Sequence, residues 1–310
     1  MPLQLQQTSS ASLPHRQTVG LFTAVKFILD DSFAGLNAAA RAADAKRVAA
    51  YLAQMSGEYR TGYAPRIPYH EPLCRMAYIF NNLGIGASIV RDVVRRDREL
   101  MRYLSDAVNE RGRLRICAFG GGPGTEALAF SSLLREFWPD VQADLEVVVV
   151  DGEPGWGESF NQMRRYIRSV GTGGVRHHIS GDFVHFDMRE LRRYRKSPGF
   201  FDCDVFVSNY VASELFDKAA NSQMARVFAQ LGKYAPRGAW LVLADRSSVA
   251  EDIHELVRQC VGWSAHKHVD SERFVMPYHE DKAALGEYIS LFGRLPRVNA
   301  WTCSAIARKL

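Results

Sequence analysis

Residues 113–130 read RLRICAFGGGPGTEALAF, and this stretch constrains the chain more than any other. Leu114 to Phe119 is a short apolar run of the kind that forms a buried strand. Gly120 to Gly124 is a glycine-rich turn, and the residues after it have helical character. A turn without side chains lets backbone N–H groups at a helix N-terminus approach a nucleotide-like ligand. The second strand of the same unit follows in LEVVVVDGEP, Leu145 to Pro154, an apolar β-branched run that ends in Asp151. Strand, glycine turn, helix, strand, acid is the layout that holds a ribose-bearing ligand at the carboxyl ends of a parallel sheet.

The turn reads Gly-Gly-Gly-Pro-Gly and then Thr125-Glu126. The dinucleotide fingerprint G-x-G-x-x-G needs a third glycine, or a small substitute, at Thr125, and the proline stiffens the loop. G-x-G-P-G before a helix, with the acid about thirty residues on, resembles motif I of the class I S-adenosylmethionine (SAM)-dependent methyltransferases. Later segments resemble that family in the same order. Val175 to Phe183 is similar to its third strand, ending in Gly181-Asp182-Phe183. Phe201 to Phe216 is similar to its fourth strand and motif IV, with Ser208-Asn209-Tyr210 at the strand's end. Arg237 to Ser248 is similar to the fifth strand, and Trp301 to Leu310 to a closing antiparallel strand. The resemblance covers about residues 112–310.

The resemblance implies an α/β fold: a Rossmann-like, seven-stranded, mostly parallel sheet with an N-terminal helical extension. It implies SAM as cofactor and S-adenosylhomocysteine as product. It places Gly120, Gly121, Gly122 and Gly124 under the cofactor, Asp151 and Gly152 at the ribose, and Asp182 and Phe183 at the adenine. Trp156 stacks near the adenine or ribose or packs in the core. Asn209 binds the cofactor's methionine end or orients the acceptor. Catalytic roles fall to Asn209, Tyr210 and Glu214, the last as a base. The sequence departs from the family at Ala118, where motif I often carries an acid, and Glu126 is one substitute for it. Asn209 is followed by Tyr210-Val211-Ala212 rather than Pro-Pro-Tyr. These departures keep a second reading open, a non-catalytic SAM-binding or scaffold subunit of a larger complex.

Three segments divide the chain on this reading: a disordered tail over residues 1–18, a helical cap over 19–110 and a SAM-binding domain over 111–310. Phe33 to Met55 is alanine-rich with helical spacing, and Leu73 to Asn109 forms a long helical region softened by Gly84 and Gly86. Pro65, Pro68 and Pro72 keep Tyr59 to Pro72 as a loop. Its Tyr59, Tyr63, Tyr69 and His70 either line the acceptor site or anchor the connection. A helical insert is expected at about Glu280 to Phe292, also bordering the pocket.

Charge bears on the acceptor. The net charge is +5, yet Arg164 to Lys196 alone holds nine Lys/Arg against three acids. That stretch fits either an RNA-binding face or a solvated helix surface. The acceptor is therefore a small molecule or RNA, with the helical cap and aromatic loop favouring the small molecule. Oligomeric state is open.

Five scattered cysteines without a CxxC pair fit a reducing compartment, and no zinc or disulfide framework is expected. His177 and His178 are adjacent, His185 stands alone, and no H-x-x-x-H spacing occurs, so no metal is expected. No apolar run approaches the ~20 residues that span a bilayer, and no signal-peptide pattern precedes residue 20. The expected location is intracellular, in cytoplasm or nucleus. The acid-free start, with no Asp or Glu before Asp30, weakly resembles a mitochondrial transit peptide.

Overall fold

The computed structural model describes residues 20–59, 66–170, 178–188, 199–215, 221–277 and 282–310. The expected tail, Tyr63 and His177 lie outside these, as do residues 189–198 of the basic stretch. The chain opens with helices α1 (Leu21–Ser32), α2 (Ala38–Glu58), α3 (Pro72–Tyr78), α4 (Gly84–Arg95) and α5 (Arg98–Glu110). A strand–helix alternation follows: β1 (Arg113–Phe119), α6 (Thr125–Phe137), β2 (Asp144–Asp151), α7 (Trp156–Ser169), β3 (His178–Ser180), β4 (Phe183–His185), β5 (Val205–Asn209), α8 (Ala212–Leu215), α9 (Asn221–Tyr234), β6 (Trp240–Arg246) and α10 (Ala250–Gln259). The chain closes with β7 (Trp263–Val275), α11 (Tyr288–Leu291) and β8 (Asn299–Lys309).

One mixed sheet runs in the order β3-β2-β1-β5-β6-β8-β7, with β4 also paired to β2. Neighbours from β3 to β6 are parallel, and β8 is antiparallel to both β6 and β7. The sheet is Rossmann-like as expected, but it has eight strands rather than seven. The third strand is split in two. Gly181 takes φ +128°, and a Cβ there would lie 1.8 Å from the carbonyl oxygen of Val147. The backbone therefore presses onto β2 between two short ladders, and only glycine fits that approach. The C-terminal strand does close the sheet, but in its interior, and the long β7 forms the edge beyond it. A nearly unbroken polar run in β7, with most of its side chains exposed, hides its strand character from a hydrophobicity pattern.

Side chains alternate across the sheet with period two, so each strand feeds two cores. Leu114, Ile116, Ala118, Leu145, Val147 and Val149 enter one core, shared with α1 to α7. Cys117, Phe119, Val148 and Val150 enter the other, shared with α9 and α10. The N-terminal helices join the first core directly: α1 packs on α7, α4 on α6 and β6, and α5 on β1. Asp204, just before β5, fastens α5 to the sheet by accepting from Tyr103 Oη (2.9 Å), Arg111 Nη1 (2.7 Å) and the N–H of Arg115 (2.8 Å).

The expected helical regions are interrupted at identifiable residues. Asn37 accepts from Ala40 N–H at 2.9 Å and starts α2 afresh, so Phe33 to Met55 is not one helix. Asp97 does the same for α5 through Leu100 N–H, also at 2.9 Å. A π-turn, Ile79–Leu83, joins α3 to α4. The resulting 24-residue helix, Pro72–Arg95, is long and apolar enough to cross a membrane by length and composition, and 83% of its most apolar window is buried inside the protein. Of the insert expected at about Glu280 to Phe292, Glu280 lies outside the described residues, and the described part forms a 3₁₀ turn, Lys282–Leu285, and the single turn of α11.

Candidate functional site

Strand order reverses at β1, whose neighbours β2 and β5 lead away in opposite directions. Open α/β sheets bind ligands at the carboxyl ends of the strands at such a point. A cavity of about 320 Å³ lies there. That volume sits at the low end of small-molecule pockets, roughly 300–1,000 Å³.

Its floor is the loop after β1. Gly120, Gly122 and Gly124 adopt φ of +58°, +49° and +87°. A Cβ on Gly120 would meet Val211 Cγ2 at 2.3 Å, and one on Gly124 would meet the Phe160 ring at 2.7 Å. Both the conformation and the close approach require glycine. Asp151, at the end of β2, accepts from Gly122 N–H at 3.0 Å through Oδ2 and from Glu153 N–H at 2.9 Å through Oδ1. Burial pushes its carboxyl up to about 6, while the N–H groups of Glu153, Gly122 and Gly152 hold it down.

At the end of β5, Asn209 is buried and its Oδ1 has no hydrogen-bond partner among the described residues. Tyr210 follows with φ +62°, a conformation that costs a non-glycine residue on the order of 1–3 kcal/mol. Its N–H donates to Ala244 O at 2.9 Å, and its buried hydroxyl has no hydrogen-bond partner among the described residues. Asp245 then holds the start of α8 by accepting from Ser213 N–H at 2.9 Å. This sets Glu214 at the cavity wall.

The remaining wall comes from the N-terminal segment. Glu214 Oε1 accepts from Tyr59 Oη at 3.0 Å and from Tyr69 Oη at 3.3 Å, and the two phenols are 2.8 Å apart. Tyr69, Tyr78 and Trp156 pack mutually, with ring centroids 5.4–5.5 Å apart. The Arg75 guanidinium donates to the carbonyls of Tyr69 (2.8 Å) and His70 (3.0 Å) and so holds this loop in place. A Cβ on Gly155 would fall 2.3 Å from Arg75 Nη1, so the start of α7 must be glycine for that anchor to fit. Burial pushes the Glu214 carboxyl up to about 7, against the pull of the Tyr59 hydroxyl and the Arg246 cation.

Of the residues that the sequence singled out, Gly120, Gly122, Asp151, Gly152, Trp156, Asn209, Tyr210 and Glu214 all line this cavity, with Tyr69 and His70. Gly121 and Gly124 shape the loop without lining it. Glu126 lies beneath it: its Oε2 is buried without a hydrogen-bond partner among the described residues, 3.1 Å from where a Cβ on Gly121 would sit. Burial pushes that carboxyl up to about 8. Asp182 and Phe183 are not among the lining residues. Asp182 lends its carbonyl to Val149 N–H at 2.9 Å, and the Phe183 ring would lie 3.2 Å from a Cβ on Gly157. Asp187 and Met188, a few residues on, line the cavity instead. Sequence reasoning missed them because Phe186-Asp187 repeats the aromatic–acid pairing of Asp182-Phe183. Tyr78 was missed because it sits inside an apolar helix. His185 is exposed, its Nε2 at 3.0 Å from Gly152 O.

The site fits a SAM-like ligand on three counts. A glycine cradle leaves room where side chains would intrude. A buried carboxylate stands at the end of β2 for a pair of hydroxyls. Asn209 Oδ1 is a buried acceptor without a donor. Among the described residues, four carboxylates line the cavity, those of Asp151, Glu153, Asp187 and Glu214, with no Lys or Arg, which suits a cationic ligand.

Away from the cavity, His254 on α10 and His268 and Asp270 on β7 bring potential ligand atoms within 4.8 Å of one another. They are too far apart in sequence for any spacing motif to reveal. The described arginines of the basic stretch are largely engaged: Arg164 donates to Gly181 O, Arg168 to Ile179 O, and Arg165 pairs with Asp31.

Fold and site together define a Rossmann-like α/β protein with a glycine-loop cleft at its switch point. No family model matches the chain, and no curated protein matches it. The solved structures to which it is similar include a SAM-dependent methyltransferase from Methanosarcina mazei, at 12% identity, covering 69% of this chain and 98% of that one, with TM-score 0.42. An O-methyltransferase family protein from Burkholderia thailandensis shares 13% identity over 78% of this chain and 61% of its own, with TM-score 0.44. The N-methyltransferase NodS from Bradyrhizobium japonicum shares 11% over 67% and 93%, with TM-score 0.36. The fold assignment rests on the strand order described above rather than on these distant likenesses.

Proposed function

We propose that this chain transfers a methyl group from SAM to a small-molecule acceptor. The observation that carries this reading is the pairing of Asp151 with the Gly120–Gly124 loop across the switch point. It supports the reading because a carboxylate able to accept from ribose hydroxyls stands beside backbone free of side chains. Bound SAM supplies a methyl group already activated on a sulfonium. The protein's work is then to orient the two reactants, exclude water and accept a proton where the acceptor carries one.

Gly120 and Gly122 would let the cofactor's methionine and ribose approach the loop, with Asp151 accepting from the ribose hydroxyls. Asp187 and Met188 would border the adenine, and Trp156 would pack against it or the ribose. Asn209 would hold the methionine end. Tyr210 and Glu214 would face the reacting centre. The cavity's size and its carboxylate lining support a small acceptor over RNA, whose phosphates call for Lys and Arg.

Calorimetric titration with SAM and S-adenosylhomocysteine, with NADH as control, tests the reading. Saturable binding of the first two alone, followed by labelled-methyl transfer to a metabolite pool, is the expected result. Binding without transfer to any pool would point to the scaffold role. A folded protein that binds neither sinks the reading.

A further inference from the structure

The wall away from the glycine loop has a composition of its own. Three aromatic rings, Tyr69, Tyr78 and Trp156, pack on one another and line the cavity that Glu214 borders, Tyr78 meeting the other two edge to face. Glu214 Oε1 lies within hydrogen-bond reach of both phenol oxygens, which also bond each other, while Oε2 has no hydrogen bond among the described residues. Among the described residues that line the cavity, a hydroxyl-bearing acceptor would find the Glu214 carboxylate and no Lys or Arg to stabilise its oxyanion, the Arg246 guanidinium being held 4.3 Å over the Tyr59 ring. A carboxylate-bearing ligand would be repelled by four acids. An ammonium gains from each of these groups: aromatic faces attract cations, and a charge-assisted hydrogen bond to Oε2 adds to that.

We infer that Tyr69, Tyr78, Trp156 and Glu214, with Tyr59 bonded to the carboxylate, form an acceptor subsite for a small molecule bearing a basic amine, which is methylated on nitrogen. The inference rests on the proposed SAM reading for its chemistry and on the wall's own geometry for its ligand class. The ammonium of the incoming amine docks on Glu214 Oε2 and gives one proton to that carboxylate. The freed nitrogen lone pair forms the new N–C bond to the methyl of the sulfonium donor. The C–S bond breaks with its electron pair left on sulfur as a neutral thioether, and the product leaves as a methylated ammonium. Glu214 returns its proton to solvent, so charge and protons balance. Tyr59 and Tyr69 hold the carboxylate in register; they are positioning residues.

The test is calorimetric binding of benzylamine, benzyl alcohol and benzoate, each with and without saturating S-adenosylhomocysteine. Benzylamine is expected to bind saturably, the alcohol at least about tenfold more weakly, and benzoate not at all. Glu214→Gln is expected to lose benzylamine affinity by about tenfold or more while its S-adenosylhomocysteine affinity stays within about twofold. Should that variant fail to fold, Tyr69→Phe gives the second reading, with a smaller loss of amine affinity in the same direction. Equal or tighter binding of alcohol or benzoate, no benzylamine binding in either state, or unchanged benzylamine affinity in folded Glu214→Gln overturns the inference. If benzylamine discriminates but S-adenosylhomocysteine does not bind, the amine site stands and the cofactor reading alone falls.

Discussion

Asp151 and Gly122 lie 29 residues apart, yet the carboxylate of one accepts from the N–H of the other at 3.0 Å. The carboxyl ends of β2 and β1 are thereby tied together where the sheet changes direction. The bond fixes the loop and points the acid into the cavity at once. Asp151→Ala is expected to weaken S-adenosylhomocysteine binding by about tenfold to a hundredfold, the scale of losing a hydrogen bond to a charged group. Calorimetry on the variant, with its fold checked by circular dichroism, reads this directly. Unchanged affinity would remove Asp151 from the binding site.

Gly120 is constrained twice, by φ +58° and by Val211 Cγ2 at 2.3 Å from a Cβ. Gly120→Ala is expected to destabilise the protein by about 1–3 kcal/mol in urea unfolding. Adding Val211→Ala should recover part of that loss, because the clash goes while the backbone strain stays. A double variant no more stable than the single one would show that the close approach costs nothing.

Glu126 gives a pH signature. Its folded pKa, about 8, lies above the ordinary value of 4.5, so folding favours the protonated form. Its contribution to stability is fully present below about 4.5 and is lost progressively as pH rises through about 8. Asp151 and Glu214, also raised, act in the same direction at lower pH. Glu126→Gln keeps the neutral shape, so its stability relative to the parent should grow from pH 5 to pH 9. Parallel unfolding curves at every pH would show that the carboxyl is not held neutral.

Arg168 donates from Nε and Nη2 to Ile179 O at 3.1 and 2.8 Å. It covers a carbonyl on the edge strand rather than presenting a free charge. Arg168→Ala is expected to cost roughly 1–3 kcal/mol of stability and to leave affinity for mixed RNA at low salt unchanged. An RNA affinity that falls with this substitution and steeply with salt would restore the nucleic-acid reading of the basic stretch.

Much of the fold was legible because β1, β2, β5 and β6 are buried on both faces and read as unbroken apolar runs. The glycine loop and Asp151 were legible because only a few residue types satisfy their geometry. The split of the third strand was not, since Gly181 shows its role only against Val147 of another strand. β7 was missed because an edge strand with exposed side chains carries neither the alternation nor the β-branched run that marks a strand. Asp187, Met188 and Tyr78 reach the cavity through tertiary packing that no local pattern encodes. Helix breaks at Asn37 and Asp97 were readable in principle, since both are cap residues ahead of helical runs.

The cavity draws on stretches of chain far apart in sequence. Residues 120–156 supply the glycine loop and the acid beside it, residues 187–188 and 209–214 add further wall, and Tyr69 and Tyr78 arrive from the N-terminal segment, where Arg75 clasps the Tyr69 carbonyl. Substitutions between 59 and 78 can therefore retune what enters without disturbing the loop. A drifting lineage of such chains would change its choice of guest through that short aromatic segment while the glycine floor stayed the same.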